Sequence, residues 1–225
     1  MNPRDAILGK VRTGLGVSAD DAERRAAVAD RIAMPPRHLI PARAAGKSTE
    51  RLKALFRGFL EGQSATVVEV ARRDDIPAAI TAYLRSANLP SRVRAGSDPY
   101  LAAVAWSNEP ALQVLSGPAL PTDEAGLSHA IAGVAETGTL LVASGPDNPV
   151  TLNFLPETHI VAIEQADLTG PYEDAWSKVR ARFGPAVLPR TINMISGPSR
   201  TGDIGGKLVM GAHGPRRMCV IIVND

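Results

Sequence analysis

The sequence predicts a single α/β domain with a mostly parallel sheet, preceded by an N-terminal helical extension. Residues 139–144 (TLLVAS) and 159–164 (HIVAIE) are almost continuously apolar, which is typical of strands covered on both faces of a sheet. Segments with helical periodicity alternate with strands, and such alternation favours right-handed crossovers between parallel strands. The chain has 225 residues, of which 44% are hydrophobic, and this is enough for one sizeable core.

The beginning of the chain is expected to form the helical extension and a linker. Between Asn2 and Leu15 the apolar residues recur on one helical face, and a charged segment continues in helical register to Ala33. Three prolines and a glycine then interrupt the pattern across residues 34–48, which indicates an extended linker. We therefore expect the extension and linker to occupy residues 1–48.

The main domain is expected to occupy residues 49–225 and to alternate between helices and strands. In its first half we expect a helix capped by Thr49, a strand at 65–71, a helix from Pro77 through Leu84, and short strands at 91–96 and 111–117. Residues 120–138 are compatible with either a strand or a helix. In its second half we expect the two apolar strands, a helix from Pro171 to Phe183, a strand at 191–196, a glycine-weakened helix from Thr201 to Met210, and a strand at 218–223 that closes the sheet.

Composition and charge narrow the class of protein. The formal net charge is +2 and charges of both signs are interspersed, so we expect no nucleic-acid partner. The N-terminus has no apolar signal segment, and the longest apolar run is too short for a membrane span. A single cysteine, Cys219, fits a reducing cytoplasm, and its position in an apolar strand favours core packing over reactivity.

Several motifs that carry cofactor or metal chemistry are absent from the sequence. There is no HExxH, CxxC, GxSxG or strand-linked GxGxxG pattern, so we expect no metal site and no cofactor. The segment GPSRTGD has the glycine spacing of a phosphate loop, but Asp203 and Ile204 stand where lysine and a hydroxyl residue are required. Three histidines, His38, His129 and His159, have no partner in the sequence and are interpreted as structural.

The same GPSRTGD segment is nevertheless a candidate ligand site. A strand ending at Ser196 would pass through a tight turn into a helix, and helix N-termini at strand ends favour anions. Arg200 supplies a cation and Asp203 a carboxylate. The candidate residues in this turn are Gly197, Pro198, Ser199, Arg200, Thr201 and Asp203. An ordinary helix cap at Thr201 and a dipole contact at Asp203 remain the alternative.

A second candidate segment is AETGTLLVASGPDNP, residues 135–149. Glu136 is either an acid–base group or a satisfied loop carboxylate, and Thr137, Gly138 and Thr139 follow it. His213 is a further acid–base candidate, although a histidine at a helix C-terminus can simply serve the helix dipole, with Gly214 as the left-handed cap.

These segments are expected to meet in one pocket at the carboxyl edge of the sheet, because adjacent parallel strands deliver their loops to one edge. Arg200 would contact a bound anion there, and Asp203 would orient Arg200 or a substrate hydroxyl.

Three stretches together resemble the lactate utilization protein C family, whose defining domain is the LUD domain. They are AETGTLLVAS, LPETHIVAIEQADL and ISGPSRTGDIGGKLVMGAHGPRRMCVIIV, and the opening RDAILGKVRTGLG is similar to the N-terminal helix of that family. The sequence departs from the family pattern at Gly202, where alanine is usual, and at Gly205, where glutamate is usual. The loop after residue 144 also differs, since GPDNPVTLNF replaces a Gly-Arg-containing loop.

The resemblance implies a Rossmann-like three-layer fold similar to the ribose-phosphate isomerase and CoA-transferase superfamily. It also implies a place in a cytoplasmic three-component system that oxidises L-lactate to pyruvate, with iron–sulfur sister subunits as partners and a small anion as ligand. Two alternatives remain open. One is a free-standing isomerase, transferase or cyclo-ligase acting on a phosphorylated or CoA-linked substrate, with Glu136, Asp203 or His213 as acid or base. The other is a regulatory module without catalysis.

Overall fold

The computed structural model describes residues 2–18, 20–37, 39–184, 187–203 and 205–225. The chain divides into two compact units, Met1–His38 and Leu39–Asp225. The first unit contains helices α1 (Pro3–Leu15) and α2 (Ala22–Ala33), whose caps Asn2 and Asp21 accept hydrogen bonds from backbone amides of the first turn. The domain boundary predicted after residue 48 stays a prediction.

The helices of the second unit begin where the sequence supplies capping residues or proline. Ser48 Oγ accepts a hydrogen bond from the Arg51 amide and caps the first of them, while Pro77 lies in the first turn of the next. In chain order these helices are α3 (Thr49–Gly62), α4 (Ile76–Ser86), α5 (Pro99–Ala102), α6 (Thr151–Phe154) and α7 (Tyr172–Phe183). None of the helices in the described ranges is long and apolar enough to cross a membrane.

The strands of this unit form a large parallel sheet, a smaller mixed sheet and a short hairpin. In chain order they are β1 (Thr66–Val70), β2 (Arg92–Ala95), β3 (Gln113–Ser116), β4 (Ala125–His129), β5 (Ala132–Val134), β6 (Thr139–Ala143), β7 (Thr158–Glu164), β8 (Leu168–Thr169), β9 (Ile192–Ile195), β10 (Arg200–Thr201), β11 (Val209–Met210) and β12 (Arg217–Val223). The large sheet has the order β1-β12-β7-β4-β2-β3, and its neighbouring strands pair in parallel. The predicted fold class, α/β with a mostly parallel sheet, is therefore confirmed.

The central strands explain the apolar runs in the sequence, because both of their faces are buried. On β12, Ile221 packs with α4 on one face, whereas Val220 and Ile222 pack with Phe56 and Leu60 of α3 on the other. Strand β12 was expected to close the sheet, but it lies inside it, between β1 and β7. Two-sided burial of this kind is what removes the alternating pattern from a strand.

Two strands expected in the parallel sheet belong to the smaller sheet instead. That sheet has the order β8-β5-β6-β9, with β6 antiparallel to both β5 and β9. Only residues 135–138 separate β5 from β6, and so short a connection cannot carry the crossover that parallel pairing requires. Residues 120–138, which the sequence left open, contain β4 and β5 rather than a helix.

The helix predicted from Thr201 to Met210 is wrong. Strands β10 and β11 pair there as an antiparallel hairpin, and Gly205 and Gly206 between them have φ angles of +63° and +69°. Glycine is a poor helix former and readily adopts this left-handed conformation, so the segment forms a turn instead of a helix. The expected helix N-terminus at Thr201 and helix C-terminus at His213 are therefore absent, and Ile204 lies outside the described residues.

Candidate functional site

Five of the predicted site residues line one cavity of about 240 Å³, here called the turn cavity. They are Gly197, Pro198, Ser199, Arg200 and His213. The other lining residues are Asn153, Phe154, His159, Ile195, Gly214, Pro215 and Met218. Glycine-rich turns thus meet a partly buried polar floor.

The turn cavity does not lie where the sequence placed it. Its lining includes Ile195 at the end of β9, but also His159 and Met218 near the beginnings of β7 and β12. The expected position was the carboxyl edge of the parallel sheet. Because β9 belongs to the smaller sheet, its carboxyl end meets the amino ends of the large-sheet strands, and the pocket forms there.

Arg200 contacts the end of helix α3. Its guanidinium donates to the backbone carbonyl of Gln63, to Gln63 Oε1 at 3.3 Å and to Ser64 Oγ at 2.8 Å. These partners are neutral oxygens. The guanidinium Nε is buried and has no hydrogen-bond partner among the described residues.

Asp203 does not orient Arg200 as expected. Thr201 Oγ1 donates a hydrogen bond to Asp203 Oδ2 at 2.9 Å, and the Asp203 amide donates back to Thr201 Oγ1 at 3.2 Å. The pair closes a local turn at the end of β10, which is the kind of bond that short polar side chains make outside helices.

Ser199 holds the glycine-rich segments on either side of the hairpin together. Its amide donates to the Pro215 carbonyl at 2.8 Å, and its carbonyl accepts from the Gly211 amide at 2.9 Å. Ser199 Oγ accepts from the His213 amide at 3.3 Å, while the His213 side chain is exposed at the cavity. Gly214 is not the left-handed cap that was expected, whereas Gly211 has a φ of +80°.

A buried polar chain forms the floor of the turn cavity. His159 Nε2 lies 3.1 Å from Ser128 Oγ, which donates to Asn153 Oδ1 at 2.6 Å. Burial lowers the pKa of His159 to about 3, so the imidazole is neutral. Asn153 Nδ2 is buried and has no hydrogen-bond partner in the described part of the chain.

The second predicted segment lies next to the turn cavity without lining it. Thr137 and Thr139 form a hydroxyl cluster with Tyr172 and Ser196, in which Thr139 Oγ1 is 2.7 Å from Ser196 Oγ. Glu136 pairs with Arg43 at 3.7 Å. Ser196 immediately precedes the predicted turn, so the two segments converge through hydroxyl groups.

The two glycines at these turns permit close packing on helix α3. A Cβ atom on Gly138, whose φ is +67°, would lie 2.6 Å from the Phe59 Cβ. A Cβ atom on Gly197, whose φ is +133°, would lie 2.8 Å from the Gln63 Cβ. Both glycines are therefore required by the approach of the chain to α3.

A second cavity, here called the edge cavity, lies at the carboxyl ends of β4 and β6. It encloses about 330 Å³ and is lined by Asp98, His129, Ile131, residues 143–148, Arg182, Phe183, Pro189 and Arg190. Sequence reasoning interpreted His129 as structural and missed Asp98. A signal was present, because both residues lie at or just after the ends of strands that prove to be neighbours, β2 and β4. No group of three or more histidine, cysteine or acidic side chains within the described ranges is placed to hold a metal ion.

The fold defines the class of the protein as an α/β protein built on a parallel sheet. Similarity to known proteins describes it further. Residues 119–223 match the family model of the LUD domain. The chain is 34% identical over 102 residues to lactate utilization protein C of Shouchella clausii, an alignment covering 45% of this chain and 44% of the relative. It is 32% identical over 101 residues to lactate utilization protein C of Bacillus subtilis, covering 44% and 42%.

An uncharacterized protein of Neisseria meningitidis is 34% identical over 100 residues, covering 44% of this chain and 42% of that protein. The expected resemblance to lactate utilization protein C and its LUD domain is thus confirmed, and the matched segment spans less than half the length of these curated relatives. The crystal structure of a DUF162 family protein from Deinococcus radiodurans shares the fold, with a TM-score of 0.59 and 22% identity over 79% of this chain and 99% of that one.

Proposed function

We propose that the protein takes part in lactate utilization and that it binds a small carboxylate in the turn cavity. The matched segment, residues 119–223, contains every residue that lines this cavity. The names of the relatives support a role in lactate utilization, and the chemistry of the cavity supports a small carboxylate as the ligand.

The observation that carries the ligand class is a pair of unpartnered donors. Asn153 Nδ2 and Arg200 Nε are both buried without hydrogen-bond partners among the described residues, and both side chains line the turn cavity. A buried donor left unpaired costs about 1–3 kcal/mol, so a ligand that accepts from it gains affinity. A carboxylate offers two acceptor oxygens and the negative charge that a guanidinium favours.

The cellular setting of this function rests on the resemblance. We place the protein in the cytoplasm, beside iron–sulfur sister subunits of a system that oxidises lactate, with no cofactor of its own. Within the turn cavity His213 is the predicted acid–base residue that can reach a bound ligand, because its side chain is exposed there. Glu136 and Asp203 are engaged by Arg43 and Thr201 and would act only through neighbouring groups.

The test is calorimetric titration of the purified full chain with L-lactate, pyruvate and inorganic phosphate. We expect a carboxylate to bind, and Asn153→Asp to weaken it at least tenfold, about 1.4 kcal/mol, since the substitution replaces donors by a repelling charge. Asn108→Asp adds the same charge at an exposed position outside the cavity and should bind like the wild type. Equal affinities of Asn153→Asp and wild type, or no binding of either carboxylate, would reject the proposal.

The role in lactate utilization is tested separately in cells. Affinity purification of the tagged chain from lactate-grown cells should recover iron-containing partner proteins, visible in the absorption spectrum of the eluate. Loss of the gene should abolish growth on lactate while growth on glucose continues. Normal growth on lactate without the protein would contradict the assignment.

A further inference from the structure

A buried histidine–aspartate pair lines the edge cavity. Asp98 is 3% and His129 is 7% exposed, and His129 Nδ1 lies 3.2 Å from Asp98 Oδ1. Both ring nitrogens are buried and neither meets the geometry of a hydrogen bond among the described residues, although Nδ1 is within ion-pair distance of Asp98 and Nε2 is not paired with it. An unpartnered imidazole nitrogen at a cavity wall is available to a ligand.

The surrounding residues fix the plane of the imidazole. Tyr100 stacks on His129 with ring centroids 4.1 Å apart and an interplanar angle of 8°. The Arg73 guanidinium lies over the Tyr100 ring at 4.3 Å and pairs with Glu164 at 3.2 Å. Such a stack limits ring rotation, so that Nε2 keeps one direction, as a proton-transferring group requires.

Asp98 is held in the ionised form. Burial by itself would raise the pKa of Asp98, but the contact with His129, the hydrogen bond from the Tyr100 amide and the charge of Arg182 together lower it. Asp98 Oδ1 accepts from that amide at 2.9 Å, and Oδ2 lies 3.6 Å from Arg182 Nη2. A buried carboxylate at this distance stabilises the positive charge that forms when the imidazole takes up a proton.

The loop of residues 144–148 forms another part of the cavity wall. Asn148 Nδ2 donates to the Ala143 carbonyl at 2.8 Å, while Asn148 Oδ1 is buried without a partner in the described ranges. The loop approaches the end of β2 so closely that a Cβ atom on Gly96 would collide with the Asp147 carbonyl. Gly96 thus lets this wall form.

Cationic side chains complete the lining. Arg182 and Arg190 both reach the cavity, and Arg190 is exposed. Planar guanidinium groups bind oxyanions through paired donors. The volume of about 330 Å³ is within the range of small-molecule pockets.

We infer that the edge cavity is a second ligand site, in which Arg182 and Arg190 anchor the oxyanion of a small molecule and His129 exchanges a proton with its hydroxyl oxygen. His129 Nε2 accepts the hydroxyl proton, so that the O–H bond breaks as the N–H bond forms. The imidazolium is balanced by Asp98, and the reverse transfer restores the neutral ring. This site shares no lining residue with the turn cavity and goes beyond the function proposed there.

The site is tested by nitrogen NMR of the full chain labelled at histidine, with the His129 signals assigned through His129→Gln. Probes are inorganic phosphate, L-lactate and pyruvate, which distinguish a phosphate from a carboxylate as the oxyanion. We expect one probe class to move the His129 Nε2 resonance in a saturable manner. Unchanged Nε2 resonances at millimolar concentrations of every probe would overturn the inference.

Two variants test separately the binding of the oxyanion by Arg190 and the action of Asp98 on His129. Arg190→Gln alters an exposed side chain of the edge cavity and should weaken probe binding at least tenfold. Arg180→Gln makes the same change outside the cavity and should leave probe binding unchanged. Asp98→Asn retains a capping side chain for α5 and should still bind the probe, with a smaller displacement of the Nε2 resonance. Wild-type affinity in Arg190→Gln, or an undiminished displacement in Asp98→Asn, would overturn the corresponding role.

The two sites are distinguishable in this experiment. Asn153→Asp removes a donor from the turn cavity and should leave the His129 response intact. If it abolished that response, the edge cavity would not be an independent site.

Discussion

Arg200 joins the β10–β11 hairpin to the end of helix α3, donating hydrogen bonds to Gln63 and Ser64, with Gln63 137 residues away in the sequence. The last carbonyls of a helix have no partner within the helix and carry partial negative charge. A guanidinium at this position therefore supplies hydrogen bonds to the end of helix α3, and Arg200 also lines the turn cavity. The residue has an architectural role as well as the binding role proposed for it.

Replacing Arg200 by alanine should lower the free energy of unfolding by about 1–2 kcal/mol, because a charge-assisted contact with a helix terminus is lost. Chemical denaturation monitored by circular dichroism measures the change. Arg216→Ala is the matched control, since Arg216 is half exposed and pairs with the exposed Glu157 at 3.6 Å. It should cost less than about 0.5 kcal/mol. Equal effects of the two substitutions would contradict the capping role.

Gly138→Ala should destabilise the protein by about 2–4 kcal/mol, because the new Cβ meets Phe59 and the φ of +67° is unfavourable for alanine. Gly202→Ala is the control, since a Cβ there meets nothing within 4 Å. It should change stability by less than about 0.5 kcal/mol. Thermal unfolding of the two variants checks the difference, and similar melting temperatures would show that α3 does not press on Gly138.

The large sheet could be predicted from the sequence because its central strands are buried on both faces. After Arg217 every residue of β12 is apolar and buried, Val220 and Ile221 among them, and this signal is local. The order of the strands and the second sheet depend on pairing between distant segments, which apolar runs do not encode. The failed helix at 201–210 has a local cause, since Gly205 and Gly206 favour a left-handed turn.

The candidate sites could likewise be predicted where their residues are close in the sequence, and not where distant segments form them. The residues around Ser199 and Arg200 stood out because hydroxyl, charged and glycine residues occur together in one short segment. Asp98 and His129 are 31 positions apart, and only the pairing of β2 with β4 brings them to one edge. Each residue lies at or just after the end of a strand, but these strands were short or ambiguous in the sequence, so nothing there indicated that the two residues would meet.

Cys219 should be unreactive in the folded protein. It is fully buried in the core, and burial raises the pKa of its thiol to about 12. The thiolate is the reactive form, so a disulfide-exchange reagent should modify the native protein far more slowly than the protein unfolded in guanidinium chloride. Absorbance of the released thiolate measures both rates. Stoichiometric modification of the native protein within minutes would contradict the burial of this strand.

Stability should fall on mild acidification because of His159. The pKa of its buried imidazole is about 3, against an ordinary value of 6.5, so the unfolded chain binds a proton that the folded protein excludes. The contribution is fully present above the ordinary pKa and is lost as the pH falls toward the folded value.

Between about pH 7 and pH 5, a range in which most carboxylates stay ionised, one such group removes about 2 kcal/mol from the free energy of unfolding. The free energy of unfolding, measured with urea, should therefore decline less steeply across this pH range in His159→Gln than in the wild type. This holds whatever the absolute stability of the variant. Above about pH 7 the two curves should run parallel, since neutral histidine contributes no pH dependence there. Parallel declines below that pH as well would mean that His159 takes up its proton within the folded protein.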